Sequence, residues 1–181
     1  MEIFKAYKHN PPHLFRPGAK YFITASTYRK EPFLKLDTTK ERLLYSIQKG
    51  YSDNGWTVED WVILDNHYHL MVNAPDNTLG LSELIRDIHK FTALWVKKNI
   101  ASLNTQGRIW YNYWDTCISY EKSYYARLNY IWHNPVKHDY VENASDWKFG
   151  SYYYRLENER EMLAEIEKKY PCDKVNVFDD F

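Results

Sequence analysis

A chain of 181 residues is long enough to bury one substantial core and too short for two ordinary domains. Its two cysteines, Cys117 and Cys172, make neither a framework nor a paired-thiol motif, so disulfides and a thiolate zinc site are poorly supported and a reducing compartment is expected. No apolar run approaches 18 residues and the N-terminus is polar, which predicts a cytoplasmic protein without a membrane span or secretory leader. The balance of 24 basic and 24 acidic side chains argues at first against a polyanion partner. That balance hides an asymmetry. Residues 156–181 hold eight of the acids and four of the bases, so the rest of the chain is net +4, compatible with nucleic acid but not diagnostic of it.

In chain order, Pro11, Pro12, Pro17 and Gly18 predict an extended arm over residues 1–16. Residues 21–28 are β-branched and aromatic and predict a strand. Leu43, Leu44, Ile47 and Tyr51 recur at helical spacing from residue 38 or 39 to 51, where Asp53, Asn54 and Gly55 break the helix. Residues 56–64 and 67–73 read as two strands joined by the two-residue turn Asp65 and Asn66. Leu81, Leu84, Ile85, Ile88, Phe91 and Trp95 predict the apolar face of a helix over 82–98, with Arg86, His89, Lys90 and Lys97 on its other face. Residues 108–120 read as a fourth strand, and 122–133 as a helix that Pro135 stops. The order predicts an α+β fold: a ferredoxin-like antiparallel sheet with helices packed on it plus an additional C-terminal helix.

Two of these segments carry chemistry. On a strand, period-two geometry sends His67 and His69 to one face and Tyr68 to the other. Near a helix end, Tyr130 and Asn134 are i and i+4 neighbours on one stripe. Two imidazoles, a phenol and a carboxamide suffice for metal-assisted phosphodiester cleavage with a tyrosine nucleophile. The carboxamide moves the metal preference toward Mg or Mn, with positions left open for phosphate. Plainer readings stand beside these: a pair of satisfied surface histidines, and a tyrosine packed in a core. Tyr130 lies a quarter-turn from Ile131, at the border of a stripe made by Tyr124, Leu128 and Ile131, where it is expected to face a cleft.

Four stretches, taken in order, make a more specific pattern: His67-Tyr68-His69; the helix from Leu81-Ser82-Glu83-Leu84-Ile85 to Lys90-Phe91-Thr92; Tyr130-Ile131-Trp132-His133-Asn134-Pro135-Val136-Lys137; and Asp146-Trp147-Lys148-Phe149-Gly150-Ser151-Tyr152. Together they resemble the single-tyrosine transposases of the HUH superfamily, the IS200-like transposases, and among them the REP-associated tyrosine transposases, over roughly residues 17–155. The resemblance implies a metal-dependent endonuclease and strand transferase on single-stranded DNA, often beside a hairpin. His67 and His69 would ligate a divalent Mg or Mn ion, Asn134 would complete or steady the site, and Tyr130 would form a 5′-phosphotyrosine bond. His133 and His138 are candidate bases by proximity, although such side chains more readily face solvent or DNA. For DNA contact the candidates are Arg16, Lys20, Arg86, Lys90, Lys97 and Lys137, and exposed rings among Trp110, Tyr111, Tyr113 and Trp114 would stack on unpaired bases.

Two departures from the family pattern stand out. The segment around Trp110 to Asp115 lacks the basic residues usual there, with none from Ile109 until Lys122, and the acidic helix over 157–169 has no obvious family role. The expected organisation is an N-terminal arm over 1–16, a transposase-like domain over 17–155 and an acidic helix and tail over 156–181, acting as a monomer in preference to a dimer. The rivals are a binding module of the same fold that recognises structured single-stranded DNA or RNA without cutting it, and a zinc hydrolase using His67 and His69 with water as nucleophile.

Overall fold

The computed structural model describes residues 16–76, 80–100, 107–173 and 175; the predicted arm, apart from Arg16, lies outside them. Four strands, β1 (Lys20–Thr27), β2 (Thr57–Ile63), β3 (His67–Asn73) and β4 (Trp110–Ile118), alternate with helices α1 (Asp37–Asp53), α2 (Leu81–Asn99), α3 (Glu121–Lys137) and α4 (Ser151–Lys169). The sheet is antiparallel throughout, in the order β2-β3-β1-β4, as the ferredoxin-like reading requires.

Alternation along the strands divides the core in two. Tyr21, Ile23, Tyr68, Leu70 and Val72 face α1 and α2, whereas Phe22, Val62 and Met71 face α3 and α4. The end of α1 follows from sequence: Gly55 adopts φ +74°, and the Gly55 and Trp56 amides bond the carbonyls of Ser52 and Tyr51, closing the helix as a glycine C-cap does. On α2 the inward face differs from expectation. Thr92 and Val96 are buried while Phe91 is exposed, and His89 turns inward to stack on Trp110 instead of facing solvent with Arg86 and Lys90.

Helix α3 corrects a second expectation. It does not stop before Pro135 but runs to Lys137 with the proline inside its last turn. The φ of proline is itself helical, and only the amide bond to the Ile131 carbonyl is forfeited. Asn134 and Pro135 are buried, so packing outweighs the bias against helix at the residue before proline, and His138 N–H closes the turn on the Asn134 carbonyl at 3.1 Å.

What holds α3 against the sheet begins with a bulge. The register of β2 on β3 shifts between Val58 and Asp60, placing one extra residue, Glu59, in the strand. The bulge moves Asp60 from the face of Val58 to the opposite face, beneath α3. There its carboxylate accepts bonds from Trp132 Nε1 at 2.7 Å and Ser151 Oγ at 2.7 Å, and pairs with the Arg155 guanidinium. Sheet, α3 and α4 therefore meet on one buried anion. The same Ser151 Oγ accepts from the Trp61 amide, and the Ile63 amide bonds the Phe149 carbonyl, so the connection into α4 covers the outer edge of β2. Farther along, buried Asn129 donates from α3 to the carbonyls of Ile166 and Tyr170 at the end of α4. Helix α4 begins before residue 156, kinks at Glu159, where φ is −128°, and contributes Leu163 and Ile166 to the second core.

Removing the anion strands an indole N–H, a hydroxyl and a guanidinium in a buried site. Asp60→Ala is expected to lower unfolding free energy by about 3–5 kcal/mol; a urea midpoint that implies a loss under about 1 kcal/mol would contradict this role.

Candidate active site

The cross-strand pairing of β1 with β3 sets the first two groups. Thr24 lies directly opposite His69, and its Oγ1 contacts His69 Nδ1 at 2.8 Å. The His69 ring is fully buried, stacked on Phe22 with centroids 5.5 Å apart and set edge-on to Tyr130 at 5.3 Å. Burial pushes its pKa down to about 3, with help from the nearby His138 and Lys137, so the ring is neutral at physiological pH and keeps a lone pair.

His67 is fixed by the hairpin turn before it. Buried Lys40 of α1 pairs with Asp65 at 2.7 Å, and the Asn66 carbonyl accepts from the Thr27 amide at 2.8 Å. Asn66 Nδ2 donates to the Lys30 carbonyl, which orients its Oδ1 toward His67 Nδ1 at 2.7 Å. This assigns the hydrogen to Nδ1 and turns Nε2 toward Asn134 Oδ1, 3.0 Å away. When His67 is neutral, two lone pairs face each other there; when it is protonated, Nε2 donates to the carboxamide. A cation shared between them removes the repulsion, and 3.0 Å is the separation of two ligands held at right angles about 2.1 Å from one ion.

The donor set fits a small divalent ion: two imidazoles oriented through their other nitrogens, plus one amide oxygen. Among the described residues no group of three His, Cys, Asp or Glu side chains gathers for a metal. An ion placed there would take the Asn134 oxygen as its third protein donor, with further ligands from water or phosphate.

Tyr130 is 4% exposed, deeper than the border position expected from sequence, and packs with Phe22 and His69. Lys137 donates from Nζ to Tyr130 Oη at 3.1 Å and lies 4.9 Å from the ring centroid. This partner follows from the extension of α3 past Pro135, which makes Tyr130, Asn134 and Lys137 successive members of one stripe. Sequence reasoning assigned Lys137 to DNA contact and no residue to the phenol; a lysine seven residues on in the same helix was the available signal. Of the two candidate bases, His133 turns away to Glu167 on α4 at 3.1 Å, whereas the His138 ring lies 4.9 Å from His67.

The remaining basic candidates are scattered. Arg86, Lys90 and Lys97 belong to α2, on the opposite face of the sheet from Tyr130. Lys20 is engaged by Glu59 and Asn73 beside the bulge, and Arg16 is exposed just before β1. Trp110 and Tyr113 are buried in the first core, which leaves Tyr111 and Trp114 as the half-exposed rings of β4.

A strand-borne histidine pair facing a tyrosine and an amide from one helix is the arrangement of a single-tyrosine DNA transposase. The chain belongs to the family described as Transposase IS200 like, which it matches over residues 17–134. It is 30% identical over 165 residues to the REP-associated tyrosine transposase of Escherichia coli (strain K12), covering 91% of this chain and 89% of that one. It also superimposes, at 25% identity and a TM-score of 0.67, on a solved REP-associated tyrosine transposase bound to a REP hairpin, covering 100% of this chain and 95% of the other. The protein is accordingly an enzyme of DNA cutting and strand transfer.

His89, half-buried beneath α2 against Trp110, resembles His69 in being pushed down to about 3 by desolvation. Unfolded imidazoles take up protons near pH 6.5. Because both folded values are depressed, the stability they contribute is present above about pH 6.5 and is lost progressively as pH falls toward 3. NMR titration should find both rings neutral at pH 5; a midpoint between 6 and 7 for His69 would contradict the buried site.

Proposed function

We propose that this enzyme cleaves and rejoins single-stranded DNA beside a hairpin, with Tyr130 as nucleophile and a divalent Mg or Mn ion held by His67, His69 and Asn134. The observation that carries this reading is the convergence, within one chain, of a phenol on two oriented imidazoles and an amide oxygen. Hairpin DNA is the substrate to offer, since the solved relative is bound to a REP hairpin.

A bound ion would polarise the scissile phosphate and disperse the charge that builds on it. The chain supplies the rest. Asn66 and Thr24 hold the imidazoles in register. The Phe22 and His69 rings confine Tyr130, so the phenol starts close to its attacking position with little orientational freedom to lose. The Lys137 ammonium beside Oη is placed to stabilise negative charge on the phenol oxygen as it attacks. The phenol proton leaves to solvent, Oη bonds to phosphorus, and the bond from phosphorus to the 3′ oxygen breaks, freeing a 3′ hydroxyl. The 5′-phosphotyrosine retains the bond energy, and attack by another 3′ hydroxyl reverses the step and releases the phenol. All these groups come from one chain, which favours a monomer, and a cytoplasmic setting gives access to DNA.

Labelled single strands carrying a hairpin, incubated with Mn or Mg and run on a denaturing gel, test this directly. Wild-type protein is expected to form a covalent adduct that requires metal. Tyr130→Phe should bind the DNA and form none. Lys137→Met should slow adduct formation at least tenfold at neutral pH and less at high pH. Binding without adduct by the wild type with either metal would favour the non-cutting module, and metal-dependent cleavage that survives in Tyr130→Phe would favour water as nucleophile.

A further inference from the structure

A groove of about 420 Å³ lies between α2 and the start of β4, on the face of the sheet opposite Tyr130. Arg86, Lys90 and Arg108 stand on its walls, and among the described residues no acidic side chain lines it, in a chain with as many acids as bases. The groove between α1 and α2 makes the contrast. Its volume is similar, about 440 Å³, but Asp53, Glu83 and Asp87 line it beside Arg42 and Lys49, so its charge is mixed and does not favour a polyanion in the same way.

The groove is ordered as well as basic. Arg108 donates from Nε to the Trp110 carbonyl and from Nη2 to the Tyr111 carbonyl, both at 2.6 Å, and its guanidinium lies over the rings of Tyr28 and Tyr111. That leaves the Nη1 amino group for another acceptor. Arg86 is held only by an exposed contact with Asp87 at 3.3 Å, which a phosphate can displace at small cost. The floor is aromatic: His89 stacks on Trp110 with centroids 4.1 Å apart and bonds Tyr68 Oη at 2.9 Å. Half-exposed Tyr111 and Asn112 complete the wall along β4, which is an edge strand.

We infer that this groove holds unpaired nucleotides of the DNA, with phosphates on Arg86, Lys90 and Arg108 and a base against Tyr111. The inference rests on the DNA-cutting reading above and extends it to a contact remote from the scissile phosphate. Its aromatic wall suits a single strand, which offers ring faces as a duplex does not. Tyr68 lies between His67 and His69 in β3, so the groove floor and the histidine pair are back to back on one strand. A strand occupying both would pass around the β4 edge.

The test uses the full chain with Arg86 and Lys90 both changed to Gln; both are exposed on α2, so the fold is retained. Two probes are measured by fluorescence anisotropy: a 12-nucleotide oligothymidylate and a blunt hairpin without tails. The variant is expected to bind the oligothymidylate about tenfold more weakly, with a salt slope smaller by about 1.4, while binding to the blunt hairpin is unchanged. Tyr111→Ala should weaken the oligothymidylate alone through lost stacking. Unchanged affinity for the oligothymidylate, or equal losses on both probes, would overturn the inference. Tyr130→Phe keeps the two proposals apart: it should form no adduct yet bind the oligothymidylate as tightly as the wild type does. Absence of adduct from the wild type counts against cutting without altering the binding comparison.

Discussion

The buried carboxylate of Asp60 holds α3, the helix that carries Tyr130 and Asn134, at its height above the sheet. Taking a carboxylate out of water is expensive, and here the expense is offset by an indole N–H, a hydroxyl and a guanidinium converging on it. Trp132 lies midway between Tyr130 and Asn134, so the bond that fixes its indole also fixes the phenol and the carboxamide on either side. Geometry at the site is therefore inherited from a contact that touches neither metal nor DNA. The acidic helix α4 acquires a structural role by the same route, because Ser151 and Arg155 deliver two of the three donors and Asn129 ties its far end back to α3.

The parts of this arrangement that depend on local period were legible in the sequence. Alternation places His67 and His69 on one face, helical spacing places Tyr130 above Asn134, and a two-residue turn separates β2 from β3. What was not legible depends on partners distant in the chain. The bulge at Glu59 reverses the face of Asp60, and nothing in the run from Thr57 to Ile63 marks it. Pro135 reads as a stop because the sequence does not reveal that Asn134 will be buried against His67. His89 reads as polar surface because its partners Tyr68 and Trp110 come from two other strands. Each correction runs the same way: a local preference of a kcal/mol or so yields to burial and satisfied hydrogen bonds.

The donor set has a chemical consequence. Without a carboxylate, the site leaves the charge of a divalent ion largely uncompensated by the protein, so an anionic phosphate is a natural further ligand. The two histidines are set by different means. His69 is kept unprotonated by burial, whereas His67 is aligned by Asn66 and turns its other nitrogen to Asn134, where an ion would find its lone pair. Among the described residues Lys137 brings an ammonium to the phenol, placed there by the turn of helix beyond Pro135.

The central claim, that β3 and α3 together form a divalent metal site next to Tyr130, is tested most directly by electron spin-echo spectroscopy of Mn bound to the protein. The account predicts nitrogen modulation from two imidazoles in the wild type, reduced to one in His69→Gln. Bound Mn with no imidazole modulation, or with modulation unaltered in His69→Gln, would contradict it.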